Sequence, residues 1–246
     1  MGRAILITIL AVVAFAIILV ARMPASWLVP GPPAQIACAN TDGTIWNGTC
    51  NGLTVQGRPF GDVTWQLHAS RLLSARLAAT VTVTGPAGAL QADLESNFSG
   101  KDVTAKNVKA EVPLDPALIP QLPRDLHGNT HAQLALVHVQ NGVVTELRGH
   151  IEARDIQRSP NEGGNLGSYS IDFPGGPGEP TGRLRDLGNG PLSVDGALRL
   201  TKEPGYDLQG TVATNSQTPP DLAKQLAYLG TPDAQGRRPF AIAATF

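Results

Sequence analysis

Only two of the 246 residues are cysteine, aromatic residues make up 5% and charged residues 16%. Basic and acidic residues number 19 and 20, giving a formal charge of -1. That balance excludes the electrostatic footprint of a nucleic-acid binder. Hydrophobic runs are scarce as well: one is long and the rest are short. What the chain has in quantity is glycine (27) and proline (20), spread along its length. Short apolar runs between such turn-formers fit many strands better than long helices. The length suffices to bury a sizeable core, as one large or two small domains.

The one long apolar run is Ala4 to Ala21, AILITILAVVAFAIILVA, in which Thr8 is the only polar residue. As a helix it rises about 27 Å, close to the thickness of a bilayer core. Arg3 and Arg22 bracket it and can snorkel to the two interfaces, with Trp27 at the level of an aromatic belt. A cleaved signal peptide is the competing reading. Its apolar core is usually shorter and ends in an A-x-A-like site, whereas Ala14-Phe15-Ala16 lies inside the run. The sequence therefore predicts a retained transmembrane helix over 4–21, a cytoplasmic tip over 1–3, a Pro-rich linker over 22–36 and an exported body over 37–246. After Arg22 the next basic residue is Arg58, a gap that lets the distal segment cross.

Cys38 and Cys50 fall in the first exported stretch. In an oxidising compartment such a pair forms a disulfide, with a loop worth about 3 kcal/mol in the chain-entropy model. The spacing is not that of a metal motif, and no histidine lies nearby.

Beyond the linker the pattern alternates. Val63, Trp65 and Leu67 share one face, Leu77, Ala79, Val81 and Val83 another, then Leu90, Ala92 and Leu94, and later Ala132, Leu134 and Leu136. Period two means one buried and one wet face. Gly85-Pro86, Ser99-Gly100 and Pro204-Gly205 break the runs, and Asn141-Gly142 is the strongest hairpin signal. The predicted fold is all-β: an elongated antiparallel meander sheet, curled or half-open, with one N-terminal transmembrane helix and a short helix near the C-terminus. That short helix starts at Thr218-Pro219-Pro220-Asp221, read as a capping box, places Leu222, Leu226 and Leu229 on one face, and stops at Gly230. A single turn is expected over 115–119, and a loop over 175–182.

No catalytic, cofactor-binding or metal residue is assigned. The nearest fragment to a serine-hydrolase elbow, Gly167-Ser168-Tyr169-Ser170, lacks the second glycine. His127, His131, His138 and His150 fit no metal spacing and show no clear carboxylate partner, which makes them surface or edge-strand histidines. Gly176-Pro177-Gly178 has the wrong spacing for a dinucleotide cradle.

One cluster is distinctive: Pro24-Ala25-Ser26-Trp27, then Gly43-Thr44-Ile45-Trp46-Asn47-Gly48, then Val63-Thr64-Trp65 leading to Leu72–Leu77. In this order it resembles the type II secretion system protein N family (GspN). Leu166-Gly167-Ser168-Tyr169 and Tyr206-Asp207-Leu208-Gln209-Gly210 extend the likeness over most of the chain. Pro24, Trp27, Gly43, Trp46, Gly48 and Trp65 carry its specificity. Residues 38 and 50 are outside the matched pattern. The resemblance implies a bitopic inner-membrane protein with a periplasmic domain, accessory to the export of folded proteins across the outer membrane. It also implies a non-enzymatic role, with the inner-membrane platform proteins of L and M type and the secretin as partners. Read as residues alone, Trp46 and Trp65 are core anchors of the first hairpins. An alternative function is an envelope lipid- or hydrophobe-handling β-groove of AsmA/TamB-like type, to be favoured by a continuous apolar inner face bare of capping elements. An outer-membrane barrel is disfavoured, since the strands lack a sustained lipid-facing face with aromatic girdles.

Overall fold

The computed structural model describes residues 12, 15, 18–27, 36–116, 124–158, 164–176, 178–203 and 205–245. Among these, thirteen strands form one sheet in strictly sequential order, every neighbouring pair antiparallel. The strands are β1 (Ile36–Gly43), β2 (Asn47–Val55), β3 (Arg58–Leu67), β4 (Arg76–Gly85), β5 (Gly88–Asn97), β6 (Asp102–Leu114) and β7 (Leu126–Gln140). They continue as β8 (Val143–Arg158), β9 (Asn165–Pro174), β10 (Thr181–Asp186), β11 (Leu192–Thr201), β12 (Gly205–Thr214) and β13 (Arg238–Thr245). The sheet is not closed: β1 and β13 are its two edges. The meander expected from alternation and turn signals is what forms, because each short turn returns the chain beside the strand it has just left.

The β7–β8 turn is Asn141-Gly142, both with positive φ (52° and 82°), as a two-residue hairpin with right-handed strand twist requires. The apolar alternation is not simple along every strand. On β6, Val103 and Ala105 are followed by Val108 and Ala110, a change of parity. Asn107 (φ 52°) absorbs it as a bulge opposite β5, so both sets face the same way. Asp155 (φ 51°) does the same on β8, keeping Ala153 and Ile156 on one face. Without these two extra residues half of each strand would turn its apolar side chains outward.

The short C-terminal helix is present as α1 (Pro220–Leu226), extended by a 3-10 turn, Ala227–Leu229, and ended at Gly230. The expected capping box does not form: the residue before the helix is Pro219, and no side chain caps it. The Thr218 hydroxyl is spent elsewhere, accepting from the Asn215 N–H at 2.8 Å and donating to the Pro191 carbonyl. Tertiary anchoring of the loop outcompetes the local cap. The glycine-rich stretch expected to be a loop ends sooner than the sequence suggests, since Thr181 and Gly182 already belong to β10. The turn expected over 115–119 lies largely outside the described residues.

So does most of the apolar run 4–21. Its described residues, Val12, Phe15 and Ile18–Ala21, are helical, and Val12, Phe15, Ile18, Leu19 and Val20 are 46–67% exposed. Among the described residues no helix is long and apolar enough to cross a membrane.

Candidate functional site

Five of the six motif residues converge on one joint, where the helical segment meets the sheet. The Trp46 indole N–H, on the β1–β2 turn, donates to the Val20 carbonyl at 2.9 Å. The Ile45 N–H donates to the Met23 carbonyl at 3.0 Å, and Pro24 forms a bridge with Thr44. The Trp65 indole N–H closes the knot on the Ile45 carbonyl at 3.1 Å. Gly43 makes the turn with φ 89°, and its missing Cβ leaves room for the Asn47 carbonyl. Gly48 lets the Trp65 ring lie against the β2 backbone. Ala25 is 1% exposed within the 3-10 turn Ala25–Trp27. The chain from Arg22 to Trp27 is thus docked on the body, and Trp27 itself is 70% exposed. Sequence reasoning placed the tryptophans in the core of the first hairpins. It missed that Trp46 is a bond to the preceding helix, a contact 26 residues away that no local pattern reports.

Next to the joint, Cys38 and Cys50 are disulfide-linked with their Cα atoms 5.5 Å apart, both sulfur-bearing residues being buried. The link ties the β1 edge to β2.

From this end, the sheet shows two different faces. Residues directly opposite on antiparallel strands share a face. One unbroken cross-strand row runs through Cys50, Val63, Val83, Leu90, Ala110 and Ala132. It continues through Ile151, Ile171, Leu184, Gly196, Gly210 and Phe240. Twelve strands contribute, and not one residue is polar. One residue further along, the opposite face reads Thr64, Thr82, Gln91, Lys109, Gln133 and His150. Then come Asp172, Arg183, Ala197 and Gln209.

Ion pairs follow the same division. Arg76 and Lys106 flank Glu95, Arg183 meets Asp195 at 2.9 Å and Arg199 meets Asp207 at 2.9 Å, all on the polar face. The histidines found no partner in the sequence, yet three have one here: His131 faces Glu111, His138 faces Asp102, and His150 lies between two carboxylates. Glu111, Asp102 and Asp172 lie on neighbouring strands, invisible to spacing along the chain, whereas Glu152 stands two residues from His150 on β8. His150 Nδ1 lies 2.5 Å from Asp172 and Nε2 2.8 Å from Glu152. Two acceptors call for two N–H groups, an arrangement that favours the imidazolium. Glu152, then Asp172, raise its pKa above the ordinary value of 6.5. Glu152, bonded to His150 and Arg154, is correspondingly lowered. Among the described residues no group of three or more His, Cys, Asp or Glu is disposed to hold a metal ion.

The inner face has two hollows. One, of about 340 Å³, is lined by Pro59, Phe60, Val83, Leu90 and Val112, with Arg58 its one charged residue. The other, of about 390 Å³, lies over β9–β13 between Tyr169, Leu184, Val194, Leu208 and Phe240, and Leu229 from the 3-10 turn after α1 overhangs it. The expected bare face is thus partly covered at its far end. Ser168, in the fragment nearest a hydrolase elbow, is 3% exposed and tied down. Its hydroxyl accepts from the Asp155 N–H at 3.0 Å and the Asn189 amide at 2.9 Å, locking the β8 bulge to the 187–190 loop.

These features define an open, single-layer antiparallel sheet with one apolar face, joined through a tryptophan knot to the helical segment that precedes it. The chain belongs to the type II secretion system protein N family, whose pattern matches residues 34–241. It is 27% identical to the type II secretion system protein N of Aeromonas hydrophila over 97% of both chains. It is 26% identical to that of Vibrio cholerae serotype O1 (strain ATCC 39315 / El Tor Inaba N16961), over 85% of this chain and 84% of the relative. No solved structure matches the chain.

Proposed function

We propose that the protein is an accessory inner-membrane component of the type II secretion pathway, supporting export of folded proteins across the outer membrane through protein–protein contacts. Membership of the protein N family carries this reading. In it, the run Ala4–Ala21 spans the inner membrane with its amino end cytoplasmic, and the sheet stands in the periplasm. The exposed apolar side chains of Val12, Phe15 and Ile18–Val20 and the Cys38–Cys50 disulfide support that placement. The joint at Trp46 then holds the first strands at the membrane surface. Twelve further strands at roughly 4.8 Å spacing carry β13 about 58 Å away along the stack. The partners are the platform proteins of L and M type and the secretin, met on the charged outer face. Deleting the gene should trap secreted enzymes in the periplasm, and restoring the full chain should release them. Unimpaired secretion in the deletion strain would overturn the role.

A further inference from the structure

Among the described residues the apolar row across β2–β13 has no second layer over most of its length, although nothing in a secretion scaffold requires a dry face. We propose that this inner face is a trough for the acyl chains of phospholipid. The choice of occupant follows from what the wall can and cannot offer. An extended peptide laid in it would bury backbone N–H and C=O groups against Val, Leu, Ile and Ala side chains. The strand backbones there are already paired with each other, so none of those groups would find a partner. A hydrocarbon chain has no such requirement, and gains roughly 0.8 kcal/mol for each methylene removed from water.

A helix satisfies its own backbone but is about 10–12 Å thick. The hollow lined by Phe60, Leu90 and Val112, about 340 Å³, suits a slimmer guest. Charge decides against a free fatty acid held by its carboxylate. The charged residues bordering the hollows and the margin over β10–β13 are engaged: Arg58 is not free, Asp186 accepts from the Val194 N–H at 2.8 Å, and Arg238 donates to the Gly230 carbonyl. The polar headgroup therefore stays at the open rim, in water, while the chains lie along the uncharged row. Under the proposed anchor, the trough begins at the joint beside the bilayer, so hydrocarbon inside it is continuous with hydrocarbon in the membrane.

The experiment places a photo-crosslinking benzoylphenylalanine at Ile151 on the inner row, or at Gln133 on the outer face. The full chain is reconstituted in nanodiscs of phosphatidylethanolamine and phosphatidylglycerol, irradiated, and read by intact mass. A phospholipid adduct at Ile151, about tenfold above that at Gln133, is expected, because only the inner row is shielded from water. Adding Ala132→Lys should abolish it with the melting temperature little changed, and Lys109→Gln on the outer face should leave it intact. Equal labelling at both positions, no adduct, or adducts carrying the mass of a second chain or another protein would overturn the proposal. None of those outcomes bears on the secretion role, which the deletion strain tests separately.

Discussion

The indole of Trp65 lies so close over Gly48 that a Cβ there would stand 2.3 Å from its Cζ2. A glycine is thus required at position 48 for a reason of space, and the backbone of β2 is part of the tryptophan's packing surface. Gly48→Ala must push the ring aside or bend β2, a small-to-large change costing about 1–3 kcal/mol. Urea denaturation of the variant should show the loss, with Trp65 fluorescence shifted to longer wavelength. An unchanged midpoint would mean that the ring relocates without strain.

Trp46→Phe keeps an aromatic ring but deletes the N–H that reaches Val20. The sheet should melt at nearly the same temperature, since a hydrogen bond of this kind contributes about 0.5–1.5 kcal/mol. The joint should loosen instead. Amide exchange at Ile45, bonded to Met23, should accelerate while amides in β7 and β8 remain protected. Uniform acceleration would show that Trp46 supports the whole sheet rather than the joint.

Replacing both Cys38 and Cys50 by serine frees a loop with a sequence separation of 12. The expected cost is about 3 kcal/mol from the restored entropy of the unfolded chain. Reductant should lower the urea midpoint of the native chain by a like amount and leave the serine variant unaffected.

The His150 pair makes stability depend on pH in two opposite senses. The imidazolium is favoured in the folded state by Glu152 and Asp172, so its contribution is complete below 6.5 and is lost as pH rises through the raised folded value. Glu152 is lowered, so its contribution is complete above 4.5 and is lost as pH falls through its folded value. Both are in place between those limits. Titration of the native chain by thermal melting should show its maximum there, and His150→Gln should flatten the alkaline limb. Exposure of the ring to solvent screens the pair and keeps the effect small. An alkaline limb identical in the variant would assign it to another group.

Much of this was legible in the residues. The alternation of Val63-Trp65-Leu67 and of Leu77 to Val83, and the Asn141-Gly142 turn, determine strands and a hairpin through local sterics and side-chain period alone. The motif Pro24 to Trp65 likewise marked the family, because its residues are tied to one another over a short span of chain.

Other features needed the folded sheet. Asn107 and Asp155 had no local mark as bulges, since a bulge exists only against the strand beside it. Glu111, Asp102 and Asp172, which face His131, His138 and His150, sit on neighbouring strands, and Thr218 gave up its cap for the Pro191 carbonyl. Sequence by itself determined that each strand has an apolar and a polar side, because that is a property of period two along one chain. Only tertiary structure decided that twelve such sides align into a single continuous apolar face, because register is set by hydrogen bonds between strands.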